Sequence, residues 1–332
     1  MKSKKLVVKD TYIKPKHFNP RKFVYLFLLA VLVSGILYQR ISIYLNANRY
    51  ARVGELIDVG TSTMHVYTGG QGDITFVLSA NIGAISPYAS LSPLHQELSK
   101  MGKVVVYDKP GYGWSDFTKA PRDLDTLTAE IHTALTQSQQ TTPYILVAHS
   151  LGSLEALRYA QRYPEEVAGI LLIDGASPSF CKTYNNIMIA ESFLLNLSRQ
   201  LGLLRLGNKW GYFDYALLPN PELDEEALSL SKGLGLEKIW NRNILEEQLH
   251  VKSNAKLILE AGDLGALPIY FLTSTSNIYG NWNQTQQEFF SLSSQAKQFP
   301  MKGSSEQIEK KDLPDILNAC NELLTYLQPD EE

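Results

Sequence analysis

The chain has 332 residues, 44% of them hydrophobic, which is enough for one large core or two modest ones. Its two cysteines, Cys181 and Cys320, make neither a disulfide framework nor a C-x-x-C metal pair. The net charge of −3 is unevenly divided: residues 1–52 carry eleven Lys and Arg against Asp10, leaving the remainder near −13, a charge that repels nucleic acid phosphates.

Residues 1–22 form a basic leader. Phe23 to Gln39 then reads FVYLFLLAVLVSGILYQ without a charge. That is at the short end of the roughly 17–25 residues needed to span a bilayer. Uncharged residues resume from Ile41 to Asn48, so a transmembrane anchor is expected over 23–45 and a linker over 46–54. Tyr25, Tyr38 and Tyr44 suit the two interfaces. Eight Lys and Arg precede the apolar run, which predicts a cytoplasmic N-terminus and a body outside the cytoplasm. A cleaved signal peptide is the rival reading, but its small-residue cleavage site has no clean A-x-A match here. The leader could also touch anionic lipid heads, although a topology signal alone explains it.

Strands and helices then alternate. ELIDVG and TMHVYTGG read as a hairpin with Gly-rich ends. ITFVLSA is a short apolar run of the kind that forms a strand buried on both faces. LSPLHQELSKMG is helical, KVVVYD a strand, LDTLTAEIHTALTQSQ an amphipathic helix and YILVAHS a strand. LEALRYAQRYP is a helix stopped by Pro164, and VAGILLID is a further strand. This alternation predicts a mostly parallel sheet with helices on both faces, its first part over 55–177. Over 178–262 helical periodicity dominates and predicts a cap across the strands' carboxyl ends. The apolar stripe from Ile187 to Leu206 could face lipid or an acyl chain, or pack on the body. A second part of the core, 263–332, supplies the strands LPIYFLTS and AKQFPMK, a helix over QTQQEFFSLSSQ and a terminal helix over DLPDILNACNELLTYL.

Chemistry sits at VAHSLGS. A reacting serine must be exposed, must have a base and must have donors for the oxyanion. A strand-to-helix turn with small flanking residues exposes Ser150, and Ala148 stands where a first Gly is usual.

Here the chain resembles the α/β-hydrolase fold family, in its capped single-domain form, over roughly residues 55–327. YDKPGYGWSD, Tyr107 to Asp116, looks like the family's loop after the fourth strand, and LSANIGA like its oxyanion loop. In that loop Asn81 replaces a usual Gly, as a residue that tolerates positive φ. The resemblance makes Ser150 the nucleophile and the N–H groups of Ile82 and Leu151 the oxyanion donors. It calls for no cofactor and no metal.

The family's base is missing. The histidines are His17, His65, His95, His132, His149 and His250, and none follows residue 250. Motif order puts Glu306, or Gln307 one place on, where the catalytic histidine belongs. No Asp or Glu lies between Gly265 and Gln287, the usual place of the acid, while Asp174 at the end of GILLID could supply one. Other bases for Ser150 would be Glu306, Lys302, Lys310, Lys311, the neighbouring His149, or His250 from the cap. His65 and His132 read as ordinary surface or core residues. Tyr107, Tyr112 and Trp114 read equally as a pocket mouth or as loop packing.

Two functions follow. One is a membrane-anchored serine hydrolase acting on a small or lipidic ester or amide through Ser150 with an unidentified base. The other is a catalytically degenerate hydrolase fold that serves as a binding or scaffolding module.

Overall fold

The computed structural model describes residues 19–46, 49–184, 189–212, 223–276, 282–304 and 307–328. Eight strands make one sheet: β1 (Glu55–Asp58), β2 (Thr63–Gly69), β3 (Thr75–Ser79), β4 (Lys103–Asp108), β5 (Tyr144–His149), β6 (Val167–Ile173), β7 (Ile269–Ser276) and β8 (Ala296–Ser304). Their order is β1-β2-β4-β3-β5-β6-β7-β8. Pairing is antiparallel from β1 through β2 to β4 and parallel across the rest. Strands β3 and β5 are buried along their whole length, as their unbroken apolar runs require.

Helix α1 (Pro20–Asn46) precedes the sheet. Two short helices, α2 (Pro87–Ser90) and α3 (Ser92–Leu98), join β3 to β4, and α4 (Leu124–Gln137) joins β4 to β5. Asp123 caps α4 by accepting the Thr126 N–H. Next come α5 (Ser153–Arg162), α6 (Pro178–Thr183), α7 (Ile189–Gln200), α8 (Leu203–Lys209), α9 (Glu225–Lys238) and α10 (Arg242–Ala261). The last helices are α11 (Trp282–Gln286), α12 (Phe289–Leu292) and α13 (Leu313–Leu327). Two apolar cores lie on either side of the sheet, one beneath α4, α5 and α10 and the other beneath α3 and α13.

The structure corrects the sequence in two places. The stripe expected as one cap helix is two, because Gly202 turns the chain with φ +72 between α7 and α8. The single helix expected over QTQQEFFSLSSQ is likewise split into α11 and α12.

Helix α1 is long and apolar enough to cross a membrane, a description that a signal sequence also meets. Its last turns are not free. A Cβ on Gly35 would lie 2.4 Å from the Leu201 carbonyl oxygen, so the glycine lets α1 touch the α7–α8 turn backbone to backbone. One turn on, buried Gln39 donates to the Leu236 carbonyl at 2.7 Å and accepts from Arg205 Nε at 3.0 Å.

Candidate active site

Strand β5 delivers Ser150 at the carboxyl end of the sheet. Extended backbone at His149 gives way to φ +52 at Ser150, then to a 3-10 turn and α5. Positive φ at a serine is strained by about 1–3 kcal/mol and persists only where the surroundings enforce it. They do so here. A Cβ on Gly152 would come within 2.8 Å of the Ala80 carbonyl oxygen, so the start of α5 packs hard against the end of β3. The Ser150 carbonyl accepts the Ala176 N–H at 3.0 Å, which ties the turn to the loop after β6.

Asp174 follows β6 and is also held at positive φ, +46. Its buried carboxylate is engaged on both oxygens. Oδ1 accepts the Ser274 N–H at 2.9 Å and Trp282 Nε1–H at 2.7 Å, and Oδ2 accepts the Ser274 hydroxyl at 2.9 Å. In a Ser-His-Asp relay the acid receives an imidazole N–H. Here an indole and a serine donate to it.

The turn after β3 carries Asn81 and Ile82. Asn81 is absent from the left-handed region, against expectation; the positive φ falls two residues on, at Gly83, +89. Asn81 acts through its side chain instead. Its Oδ1 accepts the Leu151 N–H at 3.3 Å, so the donor expected to meet a substrate oxyanion already has an internal acceptor.

Among the described residues, the structure places no candidate base in hydrogen-bond contact with the serine. Among the described residues, nothing hydrogen-bonds the Ser150 hydroxyl. His250 Nδ1 bonds at 2.7 Å to the Glu246 carbonyl one turn back in α10. Lys302, Lys310 and Lys311 are exposed, whereas a lysine base needs a desolvated setting. His149 is buried at the end of β5. Glu306 lies outside the described residues, and Gln307 is half-buried beyond the end of β8.

A family model for the alpha/beta hydrolase fold matches residues 89–251. With the strand order and the elbow, this decides the fold. The chain has the α/β-hydrolase fold. It is 28% identical to the uncharacterized protein YbdG of Bacillus subtilis, over 75% of this chain and 77% of that one. A (lyso)-N-acylphosphatidylethanolamine lipase of Bos taurus is 29% identical over 34% of this chain and 36% of its own length. Among solved structures, Cfl2 of Burkholderia cenocepacia superposes with a TM-score of 0.63 at 19% identity, over 82% of this chain and 95% of that one. At that identity the likeness shows the fold alone.

Beside the elbow of this hydrolase fold lies a polar cluster that the sequence did not disclose. Lys109 Nζ bridges the carboxylates of Glu155, on α5, and Glu247, on α10. Tyr107 donates to Glu155 at 2.9 Å and Tyr112 to Glu247 at 2.8 Å, while the Gly83 N–H reaches the Tyr112 hydroxyl at 3.3 Å. All three charged groups are buried. Burial pushes the Glu155 carboxyl up, Glu247 adds to the rise and Lys109 opposes it. Burial alone would lower the Lys109 ammonium, but the two carboxylates outweigh it and raise it. Tyr107 and Tyr112 are thus packing residues, and do not line a pocket mouth. The cluster locks α10 and the loop after β4 to the elbow helix.

His65 and His132 are structural as well. The rings of His65 and Trp114 pack edge to face, and His65 Nδ1 bonds Asp108 Oδ2 at 2.8 Å in full burial. His132 pairs with Glu166 at 2.9 Å on a half-exposed surface.

Proposed function

We propose that this is a membrane-tethered α/β-hydrolase-fold protein that binds an ester- or amide-bearing small molecule or lipid beside Ser150 without turning it over at enzymatic rates. The observation that carries this reading is the engagement of Asp174 by Trp282 and Ser274, in a chain with no histidine after His250. A serine without a base keeps its proton, and a carboxylate bound to an indole orients no imidazole. The lipase relative supports a lipidic ligand. The charge bias around α1 supports a cytoplasmic N-terminus and a body on the far side of the membrane.

The strained φ at Ser150 favours a second reading, an ester or amide hydrolase using Ser150 with an unassigned base and the N–H groups of Ile82 and Leu151. One experiment separates the two. The full chain in detergent is incubated with a panel of acyl esters and amides, and bound compound is recovered for mass spectrometry. Intact compound in wild type supports binding. Compound hydrolysed by wild type and left intact by Ser150→Ala supports the hydrolase, and a panel in which nothing is bound or hydrolysed overturns both.

A further inference from the structure

We propose that a cavity at the junction of α1 and the cap binds the phosphate of an anionic phospholipid headgroup. The proposal rests on the reading of α1 as a membrane anchor.

The cavity is an open recess of about 500 Å³ between the last turns of α1, α8 and α9. Arg49, Arg205, Lys209 and Lys232 line it, and none of its described lining residues is acidic. Arg205 is 7% exposed, so its guanidinium is a buried cation, with the neutral Gln39 accepting at its Nε. Burial pushes Arg205 down from the ordinary arginine range, with only partial relief from Tyr38 and Glu237. Arg199, on α7 and outside the cavity lining, is lowered by burial and then by the neighbouring charge of Arg40, with Glu237 opposing. Arg205, Lys209 and Lys232 come from a body whose net charge is near −13, and Arg49 joins them from the basic N-terminal stretch, so the recess is a local concentration of cations rather than a general surface property.

The depth of the cavity fits a headgroup. The cap meets α1 at Gly35, so only about 12 apolar residues, Phe23 to Ser34, precede it, roughly 18 Å at the helical rise. That falls well short of a hydrocarbon core of about 30 Å. The shortfall is made up by the cap, which lies beside α1 and exposes Phe193, Leu194, Leu197 and Leu203. Trp210 and Tyr212, 65% and 79% exposed at the end of α8, are the ring types that settle at the headgroup level. Lys209 lies next to them on the cavity wall. A basic recess at this depth meets lipid phosphates before any soluble anion.

The test uses the full chain in neutral detergent micelles, with dihexanoyl phosphatidylglycerol, dihexanoyl phosphatidylcholine and inorganic phosphate as probes. Binding is read by thermal shift and titration. Phosphatidylglycerol is expected to bind at least about tenfold more tightly than phosphatidylcholine. The double variant Arg49→Gln, Lys209→Gln, both exposed residues, is expected to lose about tenfold or more in phosphatidylglycerol affinity while its ligand-free midpoint stays unchanged. Equal binding of the two lipids, an unaffected double variant, or displacement of phosphatidylglycerol by an equal concentration of inorganic phosphate each overturns the proposal. Carbonate extraction of cell membranes tests the anchor separately. Release of the protein with lipid binding intact sinks the anchor alone, and retention without lipid binding sinks the headgroup site alone.

Discussion

Asn81 Oδ1 lies 3.3 Å from the Leu151 backbone nitrogen and accepts its N–H, although 70 positions separate the two residues. The elbow is therefore intact in shape and partly closed in chemistry. A carbonyl ligand entering the site must displace a neutral hydrogen bond with a net value of about 1 kcal/mol. Asn81→Ala removes that competitor. The second-order rate of Ser150 labelling by a fluorophosphonate is expected to rise about fivefold, read by gel fluorescence, while an unchanged or slower rate argues that Asn81 does not guard the donor.

Asp174 sets the limit on restoring catalysis. Glu306→His puts an imidazole where motif order calls for one, and a general base typically contributes about 10²–10⁴-fold. With Asp174 Oδ1 held by Trp282 Nε1, that imidazole gains no orienting partner. The single variant is expected to raise p-nitrophenyl ester turnover less than tenfold. Adding Trp282→Phe frees the carboxylate and is expected to raise turnover further, by tenfold or more. Equal rates for the single and double variants would show that the indole is not the obstacle.

The Lys109 bridge holds two buried carboxylates together. Lys109→Met leaves Glu155 and Glu247 facing each other without a counter-charge, at an expected cost of about 3–5 kcal/mol in urea unfolding. Glu247→Gln leaves one balanced pair, and its cost is expected to stay within about 1 kcal/mol. Equal costs for the two variants would contradict the charge count.

His95 gives the fold an acid limit. It is stacked on Tyr88, with ring centroids 5.1 Å apart, and burial lowers its imidazole from 6.5 to about 4. The unfolded chain therefore takes up a proton below pH 6.5 that the folded chain refuses until about pH 4. Stability contributed by this group is full above pH 6.5 and is lost as pH falls toward 4. Between pH 7 and 4.5 the wild type is expected to lose about 2 kcal/mol more than His95→Phe, measured by urea unfolding at both values. Parallel losses would place the acid sensitivity elsewhere.

The positions of Ser150 and Asp174 were legible because a strand-turn-helix pattern and a strand end are local features. The sheet was legible for the same reason, in the apolar runs of β3 and β5. Asn81 was misread because sequence showed only a residue that tolerates positive φ, whereas its part is a side-chain contact made across the fold. Nothing in the sequence sets Lys109, Glu155 and Glu247 apart from other charges, and only the packing of α10 against α5 brings them together. Gln39 read as the edge of an apolar run. Its burial between Arg205 and Leu236 depends on α8 and α9 folding back along α1.

The most direct measurement is the pre-steady-state and steady-state release of p-nitrophenol from a short-chain ester by the full chain and by Ser150→Ala. The binding role predicts no burst, and a steady rate that the substitution changes by less than tenfold. A stoichiometric burst, or a rate that falls by about 10²-fold or more in Ser150→Ala, the scale of a lost catalytic group, would show a working hydrolase and contradict the binding role.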